Sequence, residues 1–310
     1  MAFIVRKALP RDRRDILRIC ARTWSGWGDY VPQFLNRWLK EKGFYVLVEQ
    51  ARLRTPRETV VGLGKFTEIA PGELWLEGLR VDPERRGKGM GWKISKAIIQ
   101  RALAEKPVSI RLATGRRNRH SRRIIAKMGL RLKVRLWGRD GPIPKKPPSA
   151  NRRSPSAILI PTPQAAYDYI RSTEEYKAAK GMIQRTWQFR TVTPELMSEL
   201  IRQKRLFGYG SDKDLQGLLI IQPGRYENGR LDISFTEGSR KALGAFRYVI
   251  RCAALGRLWP DGPKFKSISG MAAGRSMLRH FGGLRMQPHR RPGRIRWVLV
   301  YEYPLPARRR

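Results

Sequence analysis

Gly87, Gly89 and Gly91 stand at alternate positions where a strand-like run, Leu74 to Val81, passes into a run with helical spacing, Met90 to Leu103. Glycines at such a junction let backbone N–H groups approach a ligand closely, and the positive end of the following helix favours an anion. The chemistry they fit is binding of a phosphate or pyrophosphate. Two common phosphate loops are excluded by their spelling. The chain lacks GxxxxGK[ST] here, and where a dinucleotide fingerprint needs an acidic residue about 20 positions on, it offers Arg111 and Arg116. Metal chemistry has little to build on. Cys20 and Cys252 are far apart, and His120, His280 and His289 lack companions at ligand spacing, so no metal site is expected.

The elements that must position this loop alternate in type. Phe3 to Ala8, Phe44 to Glu49, Val60 to Ile69, Leu74 to Val81, Val108 to Ala113 and Leu130 to Leu136 read as strands. Helices are expected from Pro10 through Trp24, from Met90 to Leu103, and from Ser121 to Met128, where Gly129 ends the last of them. After Trp137 the composition shifts to Pro142, Pro144, Pro147, Pro148 and Pro155 interleaved with Arg and Lys, the mark of a stiff basic connector. Ala157 to Ile160 adds a short strand and Gln164 to Lys180 a helix. The second half then restarts the first. Arg6 and Arg190, and Pro10 and Pro194, share an offset of 184, while Gly129-Leu130-Arg131 is echoed by Gly283-Leu284-Arg285 at a shorter one. The reading is a mixed α/β chain divided as 1–137, a Pro-rich basic linker 138–163, and 164–310, the last holding a linking helix and a degenerate second copy of the first module.

Charge sets the second theme. There are 65 Lys+Arg against 25 Asp+Glu, a formal net charge of +40, so ion-pair networks, which need both signs in similar numbers, cannot absorb the excess. A polyanionic partner can. No apolar run reaches the roughly 18 residues of a membrane helix, and a soluble, cytoplasmic protein is expected, with no membrane partner.

The loop Arg86-x-x-Gly89-x-Gly91 resembles the acetyl-coenzyme A loop of the GCN5-related N-acetyltransferase (GNAT) family, whose pattern is Q/R-x-x-G-x-G/A. Val81-Asp82-Pro83 matches the family's V-x-P just upstream, and Asn118, Ser121 and Gly129-Leu130 match its downstream Asn-x-x-Ala/Ser and Gly-Phe. The agreement spans about residues 1–137. The resemblance implies the acetyltransferase fold, acetyl-CoA as cofactor, and cofactor contacts at Leu79, Val81, Arg86, Gly87, Lys88, Gly89, Met90, Gly91, Asn118 and Ser121, with Arg85 and Arg122 in reach of its phosphates. It also implies oxyanion donors among the backbone amides of Leu79 to Val81, and Glu77 as the general base, with Glu68 in reserve. The tyrosine that often protonates the leaving thiolate falls at Ile125. The tandem layout resembles the histidine N-acetyltransferase group, which implies a second half that keeps the fold without the loop. Leu231 to Leu243 occupies the corresponding place with one glycine where three are wanted.

Arg116, Arg117, Arg119 and Arg123 crowd the strand–helix connection, Lys145, Lys146, Arg152 and Arg153 continue through the linker, and Arg290, Arg291 and Arg294 precede the final strand. Recurring in both halves without acidic compensation, these runs point to nucleic acid, and Trp137, Trp187 and Trp297 are available for stacking on bases. No helix-turn-helix, zinc-finger or RNP signature is present, so structured RNA or a ribonucleoprotein such as the ribosome is the expected partner. The leading expectation is acetyl transfer to an amine there. The alternatives are a non-catalytic RNA- or ribosome-bound structural protein of the same fold, and a small-molecule N-acetyltransferase acting on an amino acid or polyamine.

Overall fold

The computed structural model describes residues 2–23, 28–50, 58–143, 157–225, 229–259, 262, 264–288 and 297–306. The chain forms two compact units, Met1–Leu132 with Val300–Arg310, and Lys133–Leu299.

In the first unit, β1 (Ala2–Lys7), β2 (Phe44–Gln50), β3 (Glu58–Ala70) and β4 (Glu73–Val81) form an antiparallel run in chain order, and β5 (Ser109–Gly115) joins β4 in parallel. The centre of β2 is buried on both sides because helices cover both faces. On one face, α1 (Arg13–Ala21) and α2 (Val31–Lys40) bury Ile16, Ile19, Leu35 and Trp38 against Val46, Val48 and Leu63. On the other, α3 (Met90–Ala104) places Ile94, Ile98 and Ala102 on Leu47, Val61, Leu74 and Ile110. Next comes α4 (Arg119–Lys127), started by Asn118, whose side chain accepts from Ser121 N–H at 3.1 Å.

In the second unit, β6 (Arg131–Pro142), which lies here from Lys133 on, is followed by β7 (Ile158–Leu159), α5 (Pro163–Ser172), α6 (Glu174–Ala178), the hairpin β8 (Met182–Arg185) and β9 (Gln188–Thr191), and α7 (Pro194–Arg202). The remaining elements are β10 (Leu206–Ser211), β11 (Asp214–Pro223), β12 (Arg230–Gly238), α8 (Arg240–Ala254), β13 (Ser267–Ala272), α9 (Arg275–Gly283), β14 (Gln287–Pro288) and the start of β15 (Trp297–Glu302). Strands β10, β11 and β12 are antiparallel, and β13 is parallel to β12, repeating the pattern of β2 to β5. The helix between the parallel strands has 15 residues in both units. The two-copy expectation therefore holds at the level of topology. One difference is that among the described residues β9, the counterpart of β1 by the 184-residue offset, pairs only with β8, in a separate two-stranded sheet.

The structure corrects the sequence reading in four places. The 138–163 segment is not all linker, because β6 runs on to Pro142 and pairs with β13. The single helix read over 164–180 breaks at Thr173, whose extended backbone caps the start of α6. Helix α2, which the sequence reading leaves out, carries the buried Trp38 into the core. The contacts also cut the chain differently from the 1–137 and 164–310 division: residues 133–137 belong with the second unit, and Val300–Arg310 belong with the first, where Tyr303 N–H donates to Ile110 C=O at 2.9 Å. Among the described residues no helix is long and apolar enough to cross a membrane, and no group of His, Cys, Asp and Glu is placed to hold a metal ion.

Candidate active site

Among the described residues β4 and β5 pair only over Glu73–Trp75 and Ser109–Arg111 and then part, so the backbone of β4 from Leu76 onward has no described strand beside it on that side. Within the parted stretch β4 also bulges. The register against β3 slips between Leu63 and Lys65, and Gly78 takes a φ of 72° with its Cα against the Trp38 indole, where an added Cβ would lie 2.8 Å from the ring. The N–H of Gly78 donates to the Tyr30 hydroxyl at 3.1 Å, which holds the bulge in place.

The loop that follows is anchored at its start and open at its end. Asp82 is buried, caps the short turn Pro83–Arg85, and is ion-paired to Arg18 of α1. Arg85 is held by Glu49 at 2.7 Å. Beyond it Arg86, Gly87, Lys88 and Gly89 are all exposed. Gly87 and Gly89 adopt φ of 78° and 76°, with open space where a side chain would begin. Gly89 is the N-cap of α3 and offers no side chain, in contrast to the Asn, Thr and Ser caps of α4 to α8. The first N–H groups of α3 therefore remain open to an anion. Gly91 serves packing: a Cβ there would meet Ile124 Cδ1 at 2.8 Å, so its smallness lets α4 close on α3.

Most of the residues expected at the cofactor thus lie along β4, its following loop and the starts of α3 and α4, in varied roles. Leu79 and Met90 turn their side chains into the α3-side core and have only backbone to offer. Arg86 donates Nε–H to Val81 C=O at 3.3 Å. Asn118 and Ser121 form the cap of α4, and Arg122 donates to Arg116 C=O. Glu77 precedes the bulge, and its carboxylate accepts from Thr67 Oγ1 at 2.5 Å. Glu68 is engaged elsewhere, nearer the β3–β4 turn than the loop. Its carboxylate binds Gly72 N–H in the β3–β4 turn, and its partner Leu74 is seven residues, about 23 Å of strand, from Val81.

Sequence reasoning missed the group behind Glu77. Arg80 and Asp29 form a buried bidentate pair, with Nε–Oδ2 at 2.7 Å and Nη2–Oδ1 at 2.9 Å, and the guanidinium lies over the Tyr30 ring, 5.3 Å from its centroid. Burial pushes the Tyr30 phenol up to about 12, with Glu77 and Asp29 adding to the shift against the opposing Arg80, so it stays protonated. No spacing rule links residues 29, 30, 77 and 80, and only the fold brings them together. Ile125 is buried in a cluster with Ile99 and Leu130, and Tyr301 and Tyr303 pack against the same cluster.

The basic candidates divide. Arg116, Arg117, Arg119 and Arg123 are exposed at the start of α4. Lys145, Lys146, Arg152, Arg153, Arg290, Arg291 and Arg294 lie outside the described residues. Trp137, Trp187 and Trp297 are half-buried, and the rings of Trp137 and Trp297 pack against each other with centroids 4.9 Å apart.

A family model described as acetyltransferase (GNAT) family matches residues 13–130. Residues 13–130 are a GNAT-family acetyltransferase domain. Solved structures resemble nearly the whole chain. A GCN5-related N-acetyltransferase from Sphaerobacter thermophilus is 15% identical, with 97% of this chain and 95% of that chain covered at a TM-score of 0.58. A tandem GNAT protein from the clavulanic acid biosynthesis pathway is 12% identical, with 97% and 98% covered at a TM-score of 0.56. At these identities the likeness is one of fold, and it supports two GNAT-like copies in one chain. A search of curated proteins finds no match.

The second GNAT-like copy is built differently at the corresponding place. Only Ser239 separates β12 from α8, where residues 82–89 separate β4 from α3. Strands β12 and β13 also part, but α6 sits between their ends. Glu175 accepts from Ala273 N–H and Gly274 N–H, both at 2.7 Å, and Glu175 N–H donates to Glu237 Oε2. Burial raises the Glu175 carboxyl to about 7 against the opposing backbone hydrogen bonds. A carboxyl whose pKa rises on folding contributes stability that is complete below the ordinary carboxylate range and lost as the pH rises toward 7. Chemical denaturation at pH 4.5 and 7.5 is therefore expected to show the second unit weakening with pH, and Glu175→Gln is expected to flatten that dependence.

Proposed function

We propose that the protein transfers the acetyl group of acetyl-CoA to an amine carried by RNA or a ribonucleoprotein. The uncapped N-terminus of α3 at the end of a parted strand carries the first part. The Gly87–Gly91 backbone would hold the pyrophosphate, and β4 beyond Leu76 would line the pantetheine arm. The family's donor supplies a thioester open to direct attack by an amine. On the protein side, Glu77 would accept the ammonium proton, and the amides of Leu79 to Val81 would donate to the oxygen on which charge develops. Support for RNA comes from the surplus of 40 positive charges and from the exposed arginines at the start of α4.

A second reading, a non-catalytic RNA-bound protein of the same fold, is favoured by one observation: buried Ile125 replaces the thiolate acid. One experiment addresses both. The protein is purified with its native nucleic acid, co-purifying RNA is sequenced, bound acetyl-CoA is assayed, and binding is titrated with salt. Neutralising 6–10 phosphates lowers affinity by about 10³–10⁵ between 50 and 200 mM salt. A fall of that order together with bound acetyl-CoA supports acetyl transfer on RNA. The same fall without acetyl-CoA favours the second reading, and salt-insensitive binding removes RNA from both.

A further inference from the structure

Arg185, at the end of β8, and Arg205, just before β10, are both half-buried in the second unit, and neither has an ion-pair partner among the described residues. The fold brings them together. Gln184 donates to Ile233 C=O at 3.0 Å and Gln222 to Gln184 C=O, which lays β8 on β12 and β11, while Arg205 C=O accepts from Ile221 N–H at 2.9 Å at the same end of the sheet. The nearby carboxylates are already engaged: Asp232 is fully buried and paired with Arg230 at 2.7 Å, and Glu199 is paired with Arg190 at 2.9 Å. Arg225 adjoins the group, its N–H donating to Thr186 Oγ1 at 2.7 Å.

Two cations in this setting repel each other and have lost part of their hydration. Burial pushes Arg205 down to about 10, with Arg185 adding to the shift, and burial also lowers Arg185, with Arg225 adding to it. Arg185 Nε is buried with no hydrogen-bond partner, so a donor is held in place with nothing to receive it. A folded protein tolerates such an arrangement most readily when an anion completes it, and a planar guanidinium fork suits the oxygens of phosphate.

We infer that Arg185 and Arg205 form a binding site for a phosphate group in the second unit, distinct from the glycine loop of the first. The inference does not depend on acetyl transfer. The group could belong to an RNA backbone or to a free phosphate ester, and the test separates these sources.

The full chain is melted in inorganic phosphate and in sodium chloride of equal ionic strength, as wild type, Arg205→Met, Arg185→Gln and a control, Lys213→Gln, which alters an exposed lysine in the β10–β11 turn. Phosphate is expected to raise the wild-type and control Tm by about 2–4 °C over chloride. Arg205→Met and Arg185→Gln are expected to lose most of that rise, and Arg205→Met to melt higher than wild type in chloride because one repelling cation is gone. Both variants keeping the full phosphate response would overturn the inference. Short single-stranded RNA then identifies the source. If the site holds a backbone phosphate, the slope of log affinity against log salt falls by about 0.7 in either variant. An unchanged slope together with a lost phosphate response assigns the site to a free phosphate ester.

Discussion

Glu77→Gln is expected to lower the rate of acetyl transfer by about 10²–10⁴ while leaving acetyl-CoA binding intact. The carboxylate sits one residue before the bulge of β4, hydrogen-bonded to Thr67, and the proposed cofactor contacts lie beyond it along the strand and at the start of α3. Glutamine keeps the size and can still accept from Thr67, so a folding defect is not expected. The check is steady-state transfer to an amine acceptor together with calorimetric binding of acetyl-CoA. A variant that binds and transfers like wild type would remove Glu77 from the chemistry. A variant that loses binding as well would mark the residue as structural.

Asp29→Ala is expected to destabilise the first unit by about 3–5 kcal/mol, the largest stability loss anticipated for a single polar substitution here. The Arg80–Asp29 pair is nearly inaccessible, with side-chain exposures of 7% and 2%. Hydrogen bonds to Asp29 hold the Arg80 charge in place despite the burial that disfavours it. Removing the aspartate leaves a buried guanidinium over the Tyr30 ring with its main counter-charge gone. Because Tyr30 receives the Gly78 N–H, the damage extends to the bulge, and acetyl-CoA affinity is expected to fall with stability. Urea denaturation of wild type, Asp29→Ala and the double variant Asp29→Ala/Arg80→Met measures this. The double variant is expected to recover much of the loss, since no uncompensated charge remains.

What the sequence revealed and what it hid follow from the range of the interactions concerned. The loop was legible because its chemistry is local: a strand, a bend with open glycines and a helix start occupy one continuous stretch, and Gly87 and Gly89 adopt the positive φ that their residue type permits. Asn118 was legible as part of a motif, although its visible role is to cap α4. The repeat could be read because Arg6 and Arg190 mark equivalent strands, but the separate β8–β9 pairing could not, since edge placement depends on non-local pairing. The Asp29–Tyr30–Arg80 group left no trace, because its members meet only when α2 packs across β4. The end of the first domain was misplaced for the same reason: a strand such as β6 carries the same alternation whichever neighbour it joins.

The segment that leaves β15 gives the first unit a dependence on time. Tyr303 and Leu305 pack on the core beside α3, and Tyr303 bonds to Ile110, so residues made after 133–299 complete a unit whose other parts were made before them. During translation the first unit must wait, with the edge of β5 open, while residues 133–299 emerge and fold. An uncovered strand edge on a nascent chain is a point for mispairing, so folding yield is expected to depend on how quickly the second half is made and packed, and to suffer more from a late stall in translation than from an early one.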